Sequence, residues 1–173
     1  MPFSLYQLSV PLFTRGLNNL SGVLRKGEAH AEAKKLDQAA LLAFRLYPDM
    51  FNFTRQIQVA ADAAKGCVAR LAGIEPPVYE DNERTFAELL ARVDKTIAYI
   101  SGFKAAQIDD SEKHDSEKRP IVLKLRAGEM TFTAEDFLLG FAQPNFYFHV
   151  TTAYDILRHN GVELGKRDFL GWK

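Results

Sequence analysis

Four histidines and one cysteine are the side chains of this 173-residue sequence best suited to hold an ion or move a proton near neutral pH. His149 is the most suggestive of them. Asn145 precedes it by four residues in a stretch patterned as a helix, and that step puts two side chains on one face, a turn apart. Two ligands of a single ion need that spacing. The chemistry is weaker than the geometry, because a neutral imidazole binds zinc, nickel or iron well, whereas a carboxamide oxygen needs carboxylate help to do so. His159 falls in the final turn of the same helix, where a protonated ring suits the helix dipole. His30 and His114 lie in charged stretches that read as surface loops. Cys67 stands alone, which excludes an internal disulfide, and it reads as a small buried apolar residue. Asp62 and Asp155 are carboxylates of interest, yet Asp62 sits nearly opposite the Ile57 face of its helix and is expected in solvent. There is no Gly-rich phosphate loop, no cysteine pair with zinc spacing and no nucleophile elbow.

The elements that must position these residues belong to an ordinary globular chain. Lys and Arg total 22 and Asp and Glu total 22, so no bulk field draws in nucleic acid or anionic lipid. No apolar run approaches the roughly 18 residues a membrane span needs. Met1 to Val10 lacks a basic start, and Ser4, Gln7 and Ser9 interrupt its apolar residues, so it does not resemble a secretory signal. A cytoplasmic protein with one domain across residues 1–173 is expected.

Helical periodicity dominates. Ser4 and Gln7 have the form of a capping box, and Leu5, Leu8, Leu12, Leu17, Leu20 and Leu24 follow at helical steps toward a stop near Gly27, with a bend expected about one turn before Pro11. Glu28 to Lys35 reads as a loop, and Leu36 to Tyr47 as a short helix or turn before Pro48. A second long helix is expected from about Asp49 to Leu71, burying Phe53, Ile57, Ala60, Ala64, Val68 and Leu71. After Pro76 and Pro77, Thr85 and Glu88 cap a third, through about Ile100. Gln107 to Arg119 is charged and reads as a solvated loop.

The period then changes to two. Ile121, Leu123 and Leu125 alternate with Val122, Lys124 and Arg126, and Met130 and Phe132 with Glu129 and Thr131, around Ala127 and Gly128, which predicts a hairpin with one apolar face. Thr133 and Asp136 cap a helical segment interrupted near Pro144, and a last long helix runs from about Asn145 to His159. Phe169 and Trp172 either pack back on the helices or meet a partner. The expected fold is mostly α: a four-helix bundle with a small β-hairpin before the last helix.

The run from Phe146 to Val162, the segments Tyr47 to Met50 and Asp81 to Glu83, and the Met-Pro-Phe start resemble a bacterial domain-of-unknown-function family of the DinB/YfiT-like superfamily. The resemblance covers nearly the whole chain. It implies a four-helix bundle with a long crossover between the second and third helices, often dimeric. In better-understood relatives, three histidines bind a divalent metal at one end of the bundle, one from the second helix and two from an H-x-x-x-H pair on the fourth. Some relatives use that metal to activate a thiol for transfer. Counted back from Gly161, the pair falls on Asn145 and His149, and the second-helix position falls on Gln56, with Asp49 or Asn52 as alternatives a turn or two away.

Two accounts of this constellation stay open. His149 is a core-edge histidine bonded to Asn145, Gln56 or a tyrosine, or it belongs to a ligand or vestigial metal site with Asn145 and Gln56, where the cofactor is none or a weakly held divalent metal. Three functions follow: a non-catalytic or small-molecule-binding bundle, a metal-dependent thiol transferase or hydrolase using His149 with a carboxylate such as Asp49, and a dimeric structural or interaction protein.

Overall fold

A computed structural model describes residues 4–109, 118–125 and 128–172. The Met-Pro-Phe start, the charged stretch around His114 and the hairpin turn at Arg126 and Ala127 lie outside the described residues. Four long helices, α1 (Val10–Lys34), α3 (Phe53–Leu71), α4 (Phe86–Ser101) and α7 (Gln143–His159), form the bundle. Around it α1 adjoins α4 and α7, while α3 adjoins α7 and α4, so α1 and α3 lie diagonally across the core. The short α2 (Gln38–Ala43) makes that diagonal link, and residues 72–85 cross from α3 to α4. A single turn, α5 (Ala105–Ile108), follows α4 and buries Ile108, so Gln107 and Ile108 belong to a helix and not to the expected solvated loop. No helix among the described residues is long and apolar enough to cross a membrane.

Phe13, Phe53, Phe86 and Phe146 are all fully buried. Each contributes about 1.5–3 kcal/mol relative to exposure. Phe13 meets Phe146 edge-on at 5.1 Å between ring centres, joining α1 to α7, and Phe53 meets Phe86 at 5.8 Å, joining α3 to α4. The predicted stripe of α3 is the one that turns inward, and α4 buries Phe86, Leu89, Val93 and Ile100. The Thr85–Glu88 capping box is present as well.

α1 departs from expectation at both ends. Ser4 Oγ accepts from the Gln7 N–H at 3.1 Å, but it caps a preceding turn. The helix itself begins at Val10, with Pro11 in its first turn, where a missing N–H is harmless and no bend is forced. Nor does it stop at Gly27. A Cβ there would lie 2.8 Å from Leu157 and 2.9 Å from Phe86, so this glycine marks close helix packing rather than a terminus. Glu28 to Lys34 is therefore helical, and His30 is a helix residue rather than a loop residue. α3 in turn starts at Phe53, later than expected, because Asn52 caps it by accepting from the Arg55 N–H at 3.0 Å.

β1 (Pro120–Leu125) and β2 (Gly128–Thr133) form the antiparallel hairpin, with Ile121 opposite Phe132 and Leu123 opposite Met130. Ile121 and Leu123 are buried, whereas Met130 is 45% exposed, so the apolar face is covered on one strand more than the other. Thr133 caps the three-residue α6 (Ala134–Asp136) by accepting from the Asp136 N–H. The chain does not break at Pro144. A π-helical stretch, Phe137–Ala142, leads straight into α7, and the Gln143 N–H reaches back five residues to the Leu138 carbonyl. That wider step absorbs the proline, which sits in the first turn of α7. The chain closes with α8 (Lys166–Leu170), which sequence periodicity did not reveal.

Candidate functional site

α3 and α7 pack face to face and bring together two residues distant in sequence. Gln56 is 1% exposed and His149 is 7% exposed. Gln56 Nε2 donates to the Phe51 carbonyl at 3.0 Å, which turns its Oε1 toward the imidazole. Nδ1 of His149 lies 2.6 Å from that oxygen. An amide oxygen only accepts, so Nδ1 carries the hydrogen and Nε2 keeps a lone pair. Nε2 has no partner among the described residues and is not one of the side-chain atoms sealed from solvent.

Aromatic rings frame the imidazole. Phe51 stacks on it at 6.4 Å with 23° between the planes, and Phe148 meets it edge-on at 5.3 Å. The Arg55 guanidinium lies over Phe51 at 5.7 Å from the ring centre. Burial first, and the Arg55 charge second, hold the His149 pKa below its ordinary value of 6.5. The ring is thus a neutral acceptor at neutral pH.

The other sequence candidates do not converge on this point. Asn145 is half-buried, one turn before His149, and its side chain has no hydrogen-bond partner among the described residues. Asn52 spends its oxygen on the α3 cap. Asp49 is exposed in the turn before α3. Among the described residues no group of three or more His, Cys, Asp or Glu side chains is placed to hold an ion. A divalent cation at His149 would meet one imidazole nitrogen and neutral amides, with Gln56 Oε1 already committed to Nδ1–H. Such a donor set does not fit a DinB-type metal.

His159 is exposed in the last turn of α7, and Asp155 is half-buried. Cys67 is 1% exposed, and burial pushes its thiol far above the ordinary range, which leaves it unreactive in the fold. Asp62 is not a free surface carboxylate. It binds Lys65 at 2.8 Å and Arg92 at 3.0 Å.

That contact belongs to a charge network which the sequence reading missed. Arg92, its side chain 2% exposed, also binds Glu83 at 2.9 Å and Asp81 at 3.0 Å, both on the 72–85 crossover. Gln58 donates to Glu83 at 2.9 Å, and Arg55 pairs with Asp81. Tyr79 lies beneath Lys65 and Lys95, at 3.8 and 4.1 Å from its ring centre. Desolvation raises the Glu83 pKa, but hydrogen bonds from Arg92 and Gln58 outweigh it and the net shift is downward. The clue lay in α4: Arg92 falls three residues after Leu89 on the apolar stripe, and a cation there must be paired.

The family model described as a domain of unknown function (DUF1993) matches residues 5–170. The crystal structure of a DinB family member protein from Shewanella denitrificans is 43% identical to this chain, with a TM-score of 0.88, covering 98% of this chain and 93% of that one. No curated protein matches. Bundle topology, hairpin, and family match agree, and the chain belongs to the DUF1993 family, a domain of unknown function on the DinB-like helical bundle.

Proposed function

We propose that this chain is a non-catalytic, ligand-binding member of its family, in which His149 is a neutral hydrogen-bonding group and not a metal ligand. The observation that carries the reading is the 2.6 Å contact between Nδ1 of His149 and Oε1 of Gln56. It fixes the tautomer and uses the amide oxygen that a metal would need. The remaining Nε2 is an acceptor beside the half-exposed rings of Phe51 and Phe148, which suits a small uncharged ligand that donates a hydrogen bond. One imidazole nitrogen among neutral amides would hold a divalent ion too weakly to activate a thiol or water. Metal analysis after loading with nickel or zinc and gel filtration tests this. Uptake well below one ion per chain, equal in wild type and His149→Ala, is expected; full occupancy that His149→Ala abolishes overturns the reading.

A second reading, a homodimer, is favoured by the exposure of Tyr47, Phe51 and Phe148 at 64%, 50% and 54%. Large exposed rings of this kind suit a surface covered by a partner. Sedimentation at micromolar concentration is the test: a dimer that Phe51→Ser with Phe148→Ser converts to monomer supports it, and a native monomer removes it.

A further inference from the structure

Away from His149, α1, α7 and α8 line a cavity of about 300 Å³ that opens to solvent. Its walls include Leu12 from α1, Val150 from α7 and Phe169 from α8, and its polar groups include Arg15, Asn19 and Tyr147. The volume lies at the lower end of the ~300–1,000 Å³ typical of ligand pockets. Tyr147 and Val150 flank His149 in sequence but line this cavity, while His149 turns to Gln56 on α3.

Arg15 is the telling residue. It forms no ion pair among the described residues, and its one hydrogen bond, to the Leu170 carbonyl, is 3.4 Å long. The acidic residue of α8 does not neutralise it, because Asp168 is held by Lys26 at 2.7 Å and by the Gly165 N–H at 2.8 Å. The phenol of Tyr147 has no hydrogen-bond partner among the described residues and lines the same cavity as Arg15. Asn19 is committed, donating to the Phe169 carbonyl at 3.0 Å and so fastening α8 over the cavity.

A planar cation fork and a free hydroxyl beside apolar walls select one kind of ligand. We propose that this cavity binds a small amphipathic carboxylate, with Arg15 and Tyr147 taking the head group and Leu12, Val150 and Phe169 taking the hydrocarbon part. The guanidinium matches a carboxylate with two parallel hydrogen bonds. A dianionic phosphate would call for a second cation, and Lys26 is already paired. The site is independent of the His149 reading, which can fail without touching it.

Isothermal titration of the full chain with hexanoate, and with hexanol as the uncharged control, tests the proposal. Saturable 1:1 binding of hexanoate, weakened at least tenfold in Arg15→Gln and partly kept in Arg15→Lys, is expected, with hexanol binding much more weakly. Arg15 is exposed, so these variants should fold, and an unchanged melting temperature checks that they do. Amide chemical-shift changes on hexanoate addition should map to α1, α7 and α8. No saturable binding at millimolar concentration, unchanged affinity in Arg15→Gln, or equal affinity for hexanol would each overturn the proposal.

Discussion

Removing the amide that faces His149 separates a structural hydrogen bond from an idle contact. In Gln56→Leu, the imidazole N–H loses its acceptor in a site where Gln56 is 1% and His149 7% exposed. A buried polar group left unpaired costs about 1–3 kcal/mol. The Phe51 carbonyl also loses its donor, but it lies at a half-exposed residue where water can replace the amide, so the net loss should be about 2 kcal/mol. In His149→Leu, the Gln56 oxygen is stranded, while the leucine recovers roughly 1 kcal/mol of apolar burial, leaving about 1 kcal/mol of destabilisation. The double variant strands neither group and should also lose only about 1 kcal/mol. Its effect therefore falls short of the sum by about 2 kcal/mol, within the range of direct contacts. Urea unfolding followed by circular dichroism at pH 7.5, with and without EDTA, measures all four proteins. Losses that add to within about 0.5 kcal/mol would refute the reasoning, as would a stability gap that EDTA alone creates in the wild type.

His149 binds its proton less readily folded than at its ordinary 6.5, so the unfolded chain takes up more protons below that pH; stability should fall as pH drops through about 6.5, and His149→Gln should flatten that part of the profile. Glu83 favours ionisation in the fold, and its contribution should be lost on further acidification below 4.5. Arg92→Met should cost about 3 kcal/mol in urea unfolding, at the low end of the ~3–5 kcal/mol for a fully buried pair, since it strands Glu83 at 10% exposure while Asp62 and Asp81 keep 38% and 39%. Within α1, Gly22→Ala meets nothing within 4 Å and should raise stability by about 0.5–1 kcal/mol. Gly27→Ala should instead lower the melting temperature, its Cβ intruding on Leu157 and Phe86. Cys67 should react with a thiol reagent only as fast as the chain unfolds.

The bundle was legible wherever a local signal had no rival. The stripe from Phe53 to Leu71 repeats at helical steps along one element and the Thr85–Glu88 box is written within one turn, and both stand in the structure. Gly27 misled because glycine serves both helix ends and tight helix crossings, and only the rings across the interface decide between them. Pro144 misled for a similar reason: a change of hydrogen-bond step, invisible in hydrophobic pattern, carries the helix past it. At the site, the Gln56–His149 partnership was within reach through helix counting and family resemblance. That Arg92 needs a partner was legible in the α4 stripe, but its partners were not, because Asp62, Asp81 and Glu83 come from two segments whose meeting depends on how the crossover lies across α3 and α4.

The widened stretch between the hairpin and α7 also bears on how relatives should be compared. Reaching back five residues instead of four accommodates one more residue than a regular helix over the same length. The hairpin and the imidazole are therefore offset in rotational phase by that single residue. A relative with an unbroken α-helix here would need one fewer residue to present the same side chain at the same place, so aligning such chains by distance from the hairpin would equate His149 with the wrong neighbour.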